Sequence, residues 1–267
     1  MSILNVSNLR AGYDKKDIIN NVSFSVNEGE LVAVLGANGS GKTTLVKAIC
    51  GMIPHSGECS VSGESIDKLK AKELARMCSY IPQQSGITID ISVINVVLMG
   101  FNPYLGLLQY PTARMKEKAY KVIEQVGLKG KAEDNYLSLS EGQKQLCILA
   151  RAMVADSRLL LMDEPESALD FNVRYNVMEY IRSWISQETD GGKRAALVTL
   201  HDTNLALNYC DRLLLINDST IADTVNIRED DISVIQEKLR IIYGSISIQS
   251  FTNKNGDRQL VMVREPE

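Results

Sequence analysis

No run of apolar residues in this chain approaches the roughly 20 that a membrane-spanning helix needs. Work at a membrane would therefore require docking onto another chain that spans it. The start, Met1 to Lys16, is polar and mixed and has no signal-peptide core. The five cysteines (Cys50, Cys59, Cys78, Cys147, Cys210) show no C-x-x-C spacing. That argues against a metal cluster or a disulfide framework and fits a reducing cytosol. A formal net charge of −4 leaves no electrostatic footprint for nucleic acid. Histidine is scarce, with only two; His55 lies in a Pro-His-Ser-Gly turn and His201 follows an apolar run. There is no internal repeat and no low-complexity segment. What remains is 267 residues at 45% hydrophobic content, enough for one large or two small globular domains.

The stretch from Leu31 to Thr44 carries the strongest signal. Leu31 to Leu35 has the length and branching of a buried strand. Gly36, Gly41, Lys42 and Thr43 then fit the G-x-x-x-x-G-K-[ST] phosphate loop, which also takes in Asn38, Gly39, Ser40 and Thr44. A bare Gly-rich turn would explain the glycines but not Lys42 and Thr43 placed at a helix start behind a buried strand. In such a loop the backbone N–H groups curl around a polyanion, and the helix opening near Lys42 adds its positive end. Lys42 is then expected to reach the β and γ phosphates and Thr43 to hold Mg²⁺.

The rest of the chain reads as an α/β protein. Ile3 to Leu9, ending at a turn at Ala11-Gly12, and Val22 to Val26 read as strands of an antiparallel layer. Tyr13, between them, is either an ordinary turn aromatic or a stacking platform for a nucleotide base, worth about 1–3 kcal/mol. The helix after Thr43 should stop near Gly51. Gly57 to Ile66 reads as a hairpin about Ser62-Gly63, Lys70 to Met77 as a helix and Ser79 to Pro82 as a strand. From Gln83 to about Ala155 the texture is helical: Ile91 to Met99, a loop from Gly100 to Pro111, then Thr112 to Val126 with its apolar residues on one face. Ser140 and Gln143 form a capping box that opens the next helix, and a helix start is also an anion site.

Arg158 to Met162 reads as a second buried strand, with four apolar residues in a row, ending in Asp163-Glu164-Pro165. Beside a phosphate loop, Asp163 is placed to bind Mg²⁺ and Glu164 to polarise the water that attacks a γ phosphate. Asp170 to Ile185 is an amphipathic helix, and Gln187 to Arg194 a charged loop. Ala195 to Leu200 is a third buried strand. His201 sits at its carboxyl end, where ligands bind in open α/β sheets, and suits a hydrogen bond to a γ phosphate. Arg212 to Ile216 and Thr220 to Asp223 should pair. Asp231 to Tyr243 is a helix, and Ile246 to Ser250 and Gln259 to Val263 flank the turn Asn255-Gly256. The expected divisions are a main unit over 1–243, a helical subdomain within it at about 84–155, and a hairpin appendage over 244–267.

Taken in order, these segments resemble the nucleotide-binding subunit of an ABC (ATP-binding cassette) transporter. Tyr13 matches the adenine-stacking loop, Gly36 to Thr43 the first Walker motif and Gln83 the glutamine loop. Leu139 to Gln143 matches the family signature, Leu159 to Asp163 with Glu164 the second Walker motif and catalytic glutamate, Ser167-Ala168-Leu169-Asp170 the D-loop, and His201 the switch histidine. The resemblance implies a P-loop NTPase (RecA-like) core with an antiparallel β subdomain and an inserted helical subdomain. It implies ATP and Mg²⁺, with Thr43, Gln83 and Asp163 around the metal and Glu164, His201 and Gln83 at the reaction. It also implies a second copy paired head to tail, whose Ser140, Gly142 and Gln143 complete each ATP site. Two permease subunits, and through them an extracytoplasmic substrate-binding protein, would hold the chain on the cytoplasmic face of the membrane; no nucleic acid partner is expected. Val97 to Tyr104 and His201 to Leu207 look like the importer ATPases for iron–siderophores, haem and cobalamin. The alternative is a free ABC ATPase of the iron–sulfur assembly type. Departures from the family pattern are Glu141 for the usual glycine, Glu166 where threonine is common, Phe101 for arginine, and Gln84 beside Gln83.

Overall fold

The computed structural model describes every residue except Lys15, Ala168, Asp190 and Glu267. In chain order the elements are β1 (Ser2–Tyr13), β2 (Lys16–Asn27), β3 (Leu31–Gly36), α1 (Lys42–Ile49), β4 (His55–Val61), β5 (Glu64–Ser65), α2 (Ala71–Met77) and β6 (Cys78–Ile81). Then come α3 (Val93–Leu98), α4 (Ala113–Gln125), α5 (Glu141–Val154), β7 (Leu159–Asp163), α6 (Phe171–Ser186), β8 (Glu188–Thr189), β9 (Gly192–Lys193) and β10 (Ala195–Thr199). The chain closes with α7 (Thr203–Tyr209), β11 (Arg212–Asn217), β12 (Thr220–Asn226), α8 (Ile232–Tyr243), β13 (Ile246–Thr252) and β14 (Arg258–Arg264).

A six-stranded sheet in the order β12-β11-β3-β10-β7-β6 forms the centre. The five strands from β11 to β6 pair in parallel, and β12 adds an antiparallel edge on β11. Both faces of this sheet are covered, so its central strands β3, β7 and β10 are almost continuously apolar, as buried parallel strands are. The pleat still sorts them. Leu31, Ala33 and Leu35 point into one apolar cluster, shared with α3 to α6. Val32 and Val34 point into the other, shared with α1 and the antiparallel sheet β2-β1-β4-β5.

The helical stretch α3 to α5 is inserted between β6 and β7, which are direct neighbours in the sheet. It is therefore the crossover that a parallel pair requires, enlarged into a layer of its own. Ala119, Val122 and Ile123 of α4 and Leu146 to Leu149 of α5 bury its interior. At 1.5 Å per residue, the 14 residues of α5 carry the chain about 21 Å from its capped start to the edge of the sheet.

Four expectations need correction. The strand β1 does not turn at Ala11-Gly12 but runs to Tyr13, with Gly12 paired to Asp17. A Cβ on Gly12 would fall 1.9 Å from the Lys16 carbonyl, so the glycine serves close strand approach rather than a turn. The helix expected from Ile91 starts at Val93, because Ile91 spends its carbonyl on the Tyr136 N–H; Met99 to Tyr104 is then a 3₁₀ turn rather than loop. The charged loop before Arg194 holds the short hairpin β8–β9. The helix α7 was not expected at all: its seven residues are too few for a periodic signal.

The C-terminal hairpin is fastened to α7. Asn208 donates its amide to the Leu260 carbonyl at 2.8 Å and accepts from the Leu260 N–H at 2.9 Å, and Asn204 accepts from the Met262 N–H at 2.8 Å. Two asparagines one helical turn apart thus satisfy an edge strand. Ile246, Ile248 and Leu260 are buried beneath it.

Candidate functional site

The strand β3 delivers the chain into the glycine loop at the carboxyl edge of the sheet. Gly41 has φ +103°, and a Cβ there would fall 2.6 Å from Ile19 Cγ2; a Cβ on Gly36 would fall 2.6 Å from the Ile216 carbonyl. The loop is folded against strands on both sides, so only glycine fits. Lys42 starts α1 and is 4% exposed. Its ammonium donates to the loop's own carbonyls, Gly36 at 2.9 Å and Ala37 at 3.2 Å. Burial pushes its pKa down, while Glu164, Asp163 and Glu166 pull it up. A cation held by weak neutral acceptors and facing three carboxylates is ready to exchange those carbonyls for phosphate oxygens.

Loop, strand ends and helix start enclose one cavity of 470 Å³, lined by Tyr13, Ile18, Asn38, Gly39, Gly41, Lys42, Thr43, Thr44, Gln83, Glu164 and His201. Tyr13 stands half-exposed at its mouth. At its floor the Thr43 hydroxyl donates to Asp163 Oδ1 at 3.0 Å. Among the described residues no three His, Cys, Asp or Glu side chains cluster as a metal site. A cation here would thus take hydroxyl, amide and carboxylate oxygens together with phosphate and water, the hard mixed shell that suits Mg²⁺.

Glu164 is the convergence point. Gln83 Nε2 donates to its Oε2 at 2.7 Å, and His201 Nε2 meets its Oε1 at 2.6 Å. An ionised carboxylate only accepts, so the proton of that contact sits on Nε2. The Glu164 backbone lies at φ +50°, a left-handed conformation that costs a non-glycine residue about 1–3 kcal/mol. The next strand holds it there: the Glu164 N–H donates to the Thr199 hydroxyl at 2.9 Å, and that hydroxyl donates to Asp163 Oδ1 at 2.9 Å. Thr199 and Ile18 are additions to the residues the sequence pattern points to. The signal available for Thr199 was a hydroxyl closing an otherwise apolar strand. Gln83, rather than Gln84, reaches the cavity; Gln84 lines a separate groove beside α5.

Ser140, Gly142 and Gln143 do not join this cluster and line no part of the cavity. They cap the exposed start of α5: the Ser140 hydroxyl accepts from the Gln143 N–H at 3.3 Å, and Gln143 Oε1 accepts from the Ser140 N–H at 3.2 Å. Glu141 is turned onto Lys144 at 2.8 Å, which offsets its charge. Gly142 lies against α6, where a Cβ would come within 3.2 Å of Val173. Of the segment Ser167 to Asp170, Ala168 lies outside the described residues.

A parallel sheet with a phosphate loop, a carboxylate pair after β7 and a histidine after β10 defines a P-loop nucleoside-triphosphatase. The profile of the ABC transporter family matches residues 19–167. A probable iron chelatin transport ATP-binding protein of Helicobacter pylori is 33% identical over 221 residues, 82% of this chain and 85% of that one. The hemin import ATP-binding protein HmuV of Vibrio parahaemolyticus is 31% identical over 251 residues, 92% of each chain. Among solved structures, a metal-chelate-type ABC transporter in an inward-facing conformation superposes with a TM-score of 0.82 at 24% identity over 99% of both chains. A dimeric ATP-binding cassette in a post-hydrolysis state bound to ADP and Pi superposes at 0.73 with 23% identity, over 85% of this chain and all of that one. The chain belongs to the ATP-binding subunits of the ABC transporters, and its reaction is ATP hydrolysis.

Proposed function

We propose that this chain is the ATP-hydrolysing subunit of an importer for a metal chelate, of the iron–siderophore, haem or cobalamin class, acting through a separate permease. The observation that carries the catalytic half is the meeting of Gln83 and His201 on the two oxygens of Glu164 beside the phosphate loop. In the reaction Tyr13 stacks on the base, and the loop N–H groups and Lys42 hold the phosphates. Thr43, Asp163 and the Gln83 amide oxygen would hold Mg²⁺, which when bound neutralises charge developing on the β and γ phosphates. Glu164 orients and polarises the attacking water, and His201 leaves Glu164 for the γ phosphate. Closure must keep out all other water.

The signature residues lie outside the cavity of their own chain, so a second copy supplies them. Two chains pair head to tail, each offering Ser140, Gly142 and Gln143 to the other's ATP. Gln83 stands where β6 passes into the helical layer, so a change at Glu164 reaches that layer directly. Among the described residues no helix is long and apolar enough to cross a membrane. The permease therefore supplies the span, this subunit sits peripherally on its cytoplasmic face, and a substrate-binding protein delivers the ligand from outside. Curated relatives named for iron chelatin, hemin and cobalamin support this substrate class, and one named for zinc stands near them. The test is tagged purification from detergent-solubilised membranes with identification of partners. A polytopic permease is expected in equal copy number; recovery with soluble scaffold proteins alone would rule the importer out.

A further inference from the structure

Glu166 is the buried carboxylate that the scheme above leaves without a task. It is 5% exposed, two residues beyond Glu164 in the turn that follows β7. Its Oε1 accepts from the His201 N–H at 2.6 Å, while Oε2 is buried with no hydrogen-bond partner among the described residues. Desolvation raises its pKa against the opposing pull of the His201 backbone N–H. Placing a carboxylate here is costly, and the return comes from backbone N–H groups, the His201 amide foremost.

That amide has nowhere else to go. The ladder of β10 ends at Thr199, and Leu200 donates to Val34. On the other side Asp202 caps α7, accepting from the Asn204 and Leu205 N–H groups. His201 stands in the joint between strand and helix, held by neither. Threonine, common at this position in the family, is shorter than glutamate by two carbon centres and would end short of the amide.

We propose that Glu166 is a positioning residue: by reaching across from the β7 turn to the His201 amide, it sets the His201 imidazole on Glu164 and keeps it within reach of the γ phosphate. The link runs through backbone, so it fixes where the imidazole starts without consuming its nitrogens. This rests on the role given to His201 above.

What matters in this scheme is reach, not charge, and two variants separate them. Glu166→Asp keeps the charge and withdraws the acceptor; Glu166→Gln keeps an acceptor oxygen at the right length and removes the charge. The measurement is steady-state ATPase of the purified full chain, with kcat and KM resolved, in parent and His201→Ala backgrounds. Loss of the hydrogen bond to the His201 amide predicts a fall in kcat of about tenfold for Glu166→Asp, with KM for ATP within about twofold. Glu166→Gln should stay within about twofold of parent in kcat, as a retained acceptor requires. In the His201→Ala background, Glu166→Asp should remove less than about twofold more, since residues acting as one unit are not additive. The proposal is overturned if Gln is as poor as Asp, if both match the parent, or if the Asp loss multiplies fully onto His201→Ala. If His201→Ala itself runs at the parent rate, the assignment of His201 fails, and any loss at Glu166 is then a separate effect that overturns this inference too.

Discussion

The phosphate cavity and the start of α5, the two halves of the ATP site in the pairing proposed above, are built in opposite ways. Around the loop the carboxylates and the histidine are braced by distant segments: Thr43 and Thr199 on Asp163, Gln83 and His201 on Glu164, Glu166 on the His201 amide. At Ser140 nothing is braced except by its own first turn, where the cap bonds and the Glu141–Lys144 pair all span three residues. The first half is preorganised by tertiary contacts. The second is a locally finished anion-binding helix end whose ligand another molecule must bring. In the proposed pairing, a site divided this way is incomplete while the chain is alone, and pairing becomes a condition of hydrolysis.

The largest expected effect tests the braced half. Glu164→Gln should lower kcat by about 10²–10⁴-fold, the range for loss of a general base, with ATP affinity near parental. Size-exclusion chromatography with ATP should then show an accumulated dimer; turnover at the parent rate would remove Glu164 as the base. The next tests the division itself. Ser140→Asp keeps a good helix cap, so folding should be unharmed, but sets a negative charge against the phosphates. Lys42→Ala should weaken ATP binding by about 100-fold as its charge-assisted bonds are lost. Each variant alone should be nearly inactive. Mixed, they can form pairs with one intact loop facing one intact signature, and activity should rise above either alone. A mixture no better than its components would break the two-chain site.

Smaller effects grade the bracing. Thr199→Val removes the hydroxyl that serves both Asp163 and the Glu164 N–H. The loss should be about 1–3 kcal/mol of stability, seen as a melting temperature several degrees lower, together with a reduced kcat. A variant melting with the parent would show that Glu164 is held some other way. Least of all, Glu141→Gly, which restores the usual family residue, breaks only an exposed pair worth about 0.3–0.5 kcal/mol and adds a modest glycine cost. Unfolding in urea should shift by no more than about 1 kcal/mol; a larger loss would mean that Glu141 is not the solvent-side residue its pairing with Lys144 makes it.

The readings that succeeded were local ones. The phosphate loop, the capping box at Ser140 and the hairpin about Asn255-Gly256 each draw their signal from a few adjacent residues, and all three are in the structure. Asp163 and Glu164 were found because a continuous apolar strand ends on them. The misreadings came where a local signal had two uses. Gly12 reads as a turn residue, although the same lack of a Cβ serves close pairing inside a strand. Ile91 looked helical by composition but was claimed by the Tyr136 amide. Thr199 carried a weak signal, one hydroxyl in an apolar run, and Glu166 a departure with no visible partner.

By itself the sequence determined the phosphate-loop motif and most of the order in which strands and helices follow, because period, glycine placement and caps act within a few residues. Only the tertiary structure decided what those residues do to one another. Gln83, Asp163, Thr199 and His201 stand next to each other because parallel strands far apart in the chain end on one edge of the sheet. The contact between Thr43 and Asp163 spans 120 residues, and that between Gln83 and Glu164 spans 81. Register and strand order set such contacts, and no local pattern encodes them. The same geometry left Ser140 at the capped start of α5, outside the cavity, so in the proposed pairing each chain offers half of an ATP site to the other.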